Sequence, residues 1–139
     1  MTLRYLLDTS VVSEPALARP NARLVRRLEQ RATQCAIAAP VWHELVYGAA
    51  RLPDGKRRAA LDYYLQSVIR ERLPVLPYDT DAADWHARER ARLESTGRSP
   101  PFVDGQIAAI AATRKLVVVT ANGRQFAVFR ELDVADWGS

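Results

Sequence analysis

Residues 103–120 read VDGQIAAIAATRKLVVVT. A nearly all-apolar helical stretch, Val103 to Lys115, gives way at once to the β-branched run Leu116–Thr120. A helix apolar all round is buried on most of its sides. A strand with no polar face belongs in the middle of a parallel sheet, covered by helices above and below. Working outward, the same alternation recurs. LRYLL (3–7) is a short buried strand, and ARLVRRLEQRA (22–32) sets Leu24, Val25 and Leu28 against arginines on the opposite helix face. CAIAA (35–39) is a second apolar strand, and Pro40 suits the first turn of the helix VWHELVYGAA (41–50). Leu61, Tyr64, Leu65, Val68 and Ile69 recur at three and four, which predicts a helix. PVLPY (74–78) is a strand weakened by its prolines. Asp79, Thr80 or Asp81 caps a charged helix through AADWHARERARLES (82–95), which Gly97 ends. ELDV (131–134) offers a last edge strand. Strands separated by helices predict one α/β domain over residues 1–139, with a mostly parallel sheet and helices on both faces. Ligands of such folds gather beyond the carboxyl ends of the strands.

The composition fits this reading. Apolar residues make up 48% and charged residues 26%, the balance of an ordinary globular protein. No apolar run approaches the roughly 18 residues of a membrane span. The start MTLRYLLDTS lacks the basic, apolar and small-residue regions of a signal peptide. Cys35 is the single cysteine, so there is no internal disulfide and no thiolate metal site, and it reads as a small buried hydrophobe. A cytoplasmic protein without membrane contact is expected. Lys and Arg number 20 against 16 Asp and Glu, for a net charge of +4. This Arg-rich excess suits phosphate recognition, and it equally suits solvated helix faces.

Three carboxylates keep apolar company. Asp8 follows Tyr5-Leu6-Leu7 directly, Glu44 lies within APVWHELVYGA, and Asp104 opens the most apolar helix of the chain. Each has a structural explanation: Asp8 and Asp104 as helix caps, Glu44 as a surface acid paired with Arg51 or Lys56. The topology nevertheless brings strand ends and helix starts together, and Glu44 is expected to border the stripe of Val41, Leu45 and Gly48. Two unit charges about 4 Å apart repel by roughly 4 kcal/mol at an effective dielectric near 20. No Lys or Arg adjoins the three closely in sequence. A hard divalent cation would relieve the repulsion, and an oxygen-only set selects Mg²⁺ or Mn²⁺ over zinc. His43 and His86 are isolated and are expected at the surface.

LLDTSVVSE, WHELVYGAARL, FVDGQIAAIA and VVVTANGRQF fall in the order and spacing of PIN domains. The chain resembles that family over essentially its whole length, and within it the VapC ribonuclease toxins and the related FitB proteins. The resemblance implies a three-layer α/β/α sandwich on a mostly parallel sheet. It implies an acidic site of Asp8, Glu44 and Asp104, with Asp8 and Asp104 as ligands of Mg²⁺ or Mn²⁺. Thr9, Ser10 and Thr120 match hydroxyl positions lining such sites. Related sequences often carry an acid within TANGRQF, where Asn122 and Gln125 are neutral here. Asn122 is either a weaker ligand or part of a plain Asn-Gly turn.

The implied function is a Mg²⁺- or Mn²⁺-dependent endoribonuclease, the toxin half of a toxin–antitoxin pair. Its implied partners are RNA, a small antitoxin with a DNA-binding N-terminus, and a second copy in a homodimer. The alternative is a weakly catalytic or non-catalytic partner of a DNA-binding antitoxin, favoured by the neutral Asn122 and Gln125. A dehalogenase-type phosphotransferase would want an acid two residues after Asp8, and Ser10 stands there.

Overall fold

The computed structural model describes residues 2–139. Five parallel strands run in the order β3-β2-β1-β4-β5. They are β1 (Tyr5–Leu7), β2 (Cys35–Ala38), β3 (Val75–Leu76), β4 (Val117–Val119) and β5 (Val134–Ala135). The helices are α1 (Thr9–Val12), α2 (Ala22–Arg31), α3 (Ala39–Ala50), α4 (Lys56–Tyr63), α5 (Arg70–Arg72), α6 (Thr80–Ser95), α7 (Phe102–Arg114) and α8 (Gly123–Phe126). Successive strand residues point to opposite faces, and Leu6 and Leu7 are both buried, so helices cover both sides. Segment α2 and the chain after α4 gather around Leu7 and Cys35. On β1 and β4 lies α7, which in turn packs on α6. This is the α/β/α arrangement on a parallel sheet that the sequence predicts.

The chain leaves β1 toward β2 and β3 on one side, and β4 and β5 occupy the other. The direction of winding therefore switches between β1 and β4, where crevices form in doubly wound sheets. Leu7 stands opposite Val119, so the next residues, Asp8 and Thr120, leave the sheet side by side. The amide of Asp8 donates to the Val119 carbonyl at 2.9 Å and fixes that register.

Local physics explains most boundaries. Asp79 caps α6 by accepting from the Ala82 amide at 3.0 Å, and Gly97 takes a left-handed φ of 79° just beyond its end. Lys115 is also left-handed, at φ 56°, and lets Leu116 fold back on the Ala111 carbonyl at 2.9 Å. Three expectations need correction. The helix through Leu61 widens into a π-helical segment over Tyr64–Ile69, which buries Leu65 and Ile69 while the Tyr64 hydroxyl donates to the Val12 carbonyl. The last strand lies at Val134–Ala135, because Glu131 turns left-handed within the expected stretch. His86 is buried rather than superficial, at 4% exposure.

Candidate functional site

Asp8 ends β1 and caps α1 in one stroke. Its Oδ1 accepts from the Thr9 amide at 2.8 Å. Its Oδ2 accepts from the Thr120 hydroxyl at 2.8 Å and from the Ser10 hydroxyl at 3.3 Å. Thr120 is 1% exposed, and its Oγ1 also accepts from the Asn122 amide at 3.0 Å. Ser10 Oγ accepts from the Ala121 amide at 3.4 Å. The loops after β1 and β4 are thus stitched together around one buried carboxylate.

Asp104 has the opposite character. Helix α7 starts at Phe102 with Pro101 at its cap, so Asp104 sits inside the first turn and caps nothing. Its Oδ2 is the sole buried side-chain nitrogen or oxygen without a hydrogen-bond partner among the described residues. Burial raises its carboxyl above the ordinary value, and the negative charge of Asp8 raises it further. A buried acceptor left unpaired costs roughly 1–3 kcal/mol. Two close acids, one of them starved of a donor, form a donor set that fits a hard cation. Magnesium in particular takes one or two carboxylates and fills its remaining positions with water and substrate phosphate.

Glu44 departs from the expected position. Helix α3 does contact α1 and α7, which follow or carry the other two acids. Its own buried stripe is Val41, Leu45 and Ala49, and Glu44 lies on the exposed side with His43 and Tyr47. No ion pair among the described residues involves Glu44, so the alternative pairing with Arg51 or Lys56 is also absent. Among the described residues, no group of three His, Cys, Asp or Glu side chains is placed to hold a metal ion. Asn122 is exposed at the start of α8 and makes no side-chain capping bond there, and Gln125 is exposed on the same short helix. Cys35 is buried, and burial pushes its thiol up to about 11, which leaves it inert.

One neighbour of the site was not foreseen. The His86 ring lies against Gly105, the residue after Asp104, where any added Cβ would collide with it. Its Nδ1 lies 2.8 Å from the Tyr78 hydroxyl. Burial holds its pKa below the ordinary value, and Arg90 lowers it further. The available signal was a glycine in the first turn of a helix whose following turns are rich in alanine and isoleucine.

Fold and site together define an α/β protein with a pair of acids at the carboxyl edge of a parallel sheet. The PIN-domain family model matches residues 5–132, and the chain belongs to the PIN-domain family. Within it, the chain is 34% identical over 127 residues to the toxin FitB of Neisseria gonorrhoeae, covering 87% of this chain and 89% of that protein. It is 32% identical over 135 residues to the tRNA(fMet)-specific endonuclease VapC of Salmonella typhimurium, covering 97% and 98%. The crystal structure of DNA-bound VapBC from Salmonella typhimurium superposes with a TM-score of 0.84 at 30% identity, covering 97% of this chain and 98% of that one. No helix among the described residues is long and apolar enough to cross a membrane.

Proposed function

We propose that this chain is the ribonuclease toxin of a VapBC-like toxin–antitoxin pair, acting in the cytoplasm on RNA with Mg²⁺ or Mn²⁺. The observation that carries the reading is the unpaired, buried Oδ2 of Asp104 beside Asp8. The names of the relatives, an endonuclease and a toxin, support it. Asp8 and Asp104 would hold the ion, and Glu44 would join them only through water or substrate. When bound, the cation supplies polarisation of a phosphate oxygen and a more acidic water for in-line attack. The chain does the rest. The Thr9 amide on Oδ1 and the Thr120 and Ser10 hydroxyls on Oδ2 hold the Asp8 carboxylate in one orientation. Arginines of α2 and α6 attract the RNA backbone, so binding weakens as salt rises. The products would carry 5′-phosphate and 3′-hydroxyl ends.

The antitoxin reading follows from the company of the relatives, one of which is solved as VapBC on DNA. We expect a homodimer and a small DNA-binding antitoxin, one of whose basic side chains reaches the acid pair. The rival reading, a partner with little catalysis, draws on the exposed Glu44 and the neutral Asn122. Expression in bacteria tests the proposal. Wild type should arrest growth and leave RNA fragments with 5′-phosphate ends, Asp8→Ala should do neither, and the small protein encoded beside it should restore growth. Normal growth with soluble wild-type protein would overturn the toxin reading.

A further inference from the structure

The first turn of α7 serves two sites. Asp104 looks toward Asp8, while Phe102 and Gly105 border a cavity of about 280 Å³ on the α6 side. His86, Arg90 and Glu94 of α6 and Ser99 of the connecting loop are among its other lining residues. We propose that this cavity holds one nucleobase of the RNA beside the cleaved phosphate, and that it selects guanine. The proposal rests on the ribonuclease reading and names the part of the substrate that the protein recognises.

The walls suit a flat aromatic ligand. Phe102 is 51% exposed, unusual for a phenylalanine, so about half of it stays open to a ligand beside its Arg90 and His86 contacts. The Arg90 guanidinium lies 5.4 Å from that ring's centroid, a cation–π pair that offers a second planar surface. The His86 ring sits 4.7 Å from the Phe102 ring and is held by Tyr78. Gly105 is what admits the imidazole there, since a side chain at that position would displace it. At about 280 Å³ the space falls just below the range for drug-sized ligand sites and suits one base rather than a longer segment.

The polar edge supplies the choice. Glu94 forms an ion pair with Arg90 at 3.5 Å, yet both side chains are about half exposed and keep further capacity at the rim. A carboxylate at the rim disfavours phosphate and favours adjacent N–H donors. Guanine alone presents two neighbouring donors, N1–H and the 2-amino group, on its Watson–Crick edge. Adenine and cytosine set an acceptor beside their amino group, and uracil flanks its single N–H with carbonyls. Phe102 and Asp104 share one helical turn, so the cavity and the acid pair lie within about one helix diameter, roughly 10 Å. That is the reach of a nucleotide or two.

Two readings of the same proteins test this. Equilibrium binding of labelled pentanucleotides UUGUU, UUAUU, UUCUU and UUUUU is measured by fluorescence anisotropy in EDTA, and cleavage sites are mapped on a mixed RNA with Mn²⁺. Wild type should bind UUGUU at least about fivefold more tightly than the others, as one bidentate base contact allows. Glu94→Gln should lose that preference, and Phe102→Ala should weaken all four RNAs. Both positions are about half exposed, so both variants are expected to fold, which their melting curves confirm. Equal binding of the four RNAs by wild type, or an unchanged guanine preference in Glu94→Gln, overturns the cavity assignment even if cleavage persists. A guanine preference that depends on Glu94 without any cleavage sustains the cavity and sinks the ribonuclease reading instead.

Discussion

Asp104→Asn separates the cost of the acid pair from its use. In the metal-free protein, Asp104 Oδ2 is buried without a partner and its carboxyl is raised by burial and by the charge of Asp8. The asparagine keeps the size, removes the charge, and brings an amide that can donate toward Asp8. An unsatisfied buried acceptor costs about 1–3 kcal/mol, and two carboxylates 4 Å apart repel by about 4 kcal/mol at an effective dielectric near 20. Asp104 is only partly buried, which cuts the second figure. A net gain of about 1–3 kcal/mol follows, raising Tm by roughly 3–10 °C for a domain of this size. Folded Asp104 binds its proton more tightly than unfolded Asp104. The contribution of Asp104 to metal-free stability is therefore fully present below the unfolded pKa, and it is lost as pH rises through the raised folded one. The variant's advantage should shrink on acidification. Mn²⁺ should invert the order, because an ion held at about 1,000 times its Kd adds about 4.1 kcal/mol to wild type. Thermal melts in EDTA and in Mn²⁺, at pH 5 and pH 8, give all four corners. A variant no more stable than wild type in EDTA at pH 8 would refute the reasoning.

Thr120→Val removes the 2.8 Å bond to Asp8 and the acceptor of the Asn122 amide, so it should cost about 1–3 kcal/mol in denaturant unfolding and weaken Mn²⁺ binding. Glu89 accepts from Arg92 at 2.8 Å twice and from the Arg130 amide at 3.0 Å, which ties α6 to the chain after α8. The Arg92 hydrogen bonds hold its carboxyl below the usual value, so its contribution is present at neutral pH and fades as pH falls through the lowered folded value. Glu89→Gln should therefore melt below wild type at pH 7, with the gap closing in acid. Asn122→Asp should raise Mn²⁺ affinity several-fold by calorimetry, since a charged oxygen replaces a neutral one at nearly equal size; no gain would place residue 122 outside the metal site.

The sheet was legible because its central strands β1, β2 and β4 are apolar without interruption and most of its helices keep a 3.6-residue period. Asp8 and Asp104 were legible as charges set directly against such runs, at the strand end and helix start that the topology unites. Glu44 was not. Its sequence neighbours are apolar, yet on α3 the buried stripe passes through Val41, Leu45 and Ala49 and leaves residue 44 outside. His86 was misread because it stands in a charged segment. The buried face of α6 is Ala82, His86, Glu89 and Leu93, and the Glu89 charge hides it until the Arg92 partner is seen. The π-helical turn left no trace either, because Leu61, Leu65 and Ile69 fit an α-helix equally well.

The most direct test is RNA cleavage by purified wild type and Asp8→Asn, each stripped of metal and then titrated with Mn²⁺. Wild type should be inactive without the ion, gain activity as one site fills, and release fragments with 5′-phosphates, while Asp8→Asn stays inactive at concentrations that saturate wild type. Equal cleavage by both proteins, or cleavage by wild type in EDTA, would contradict the account.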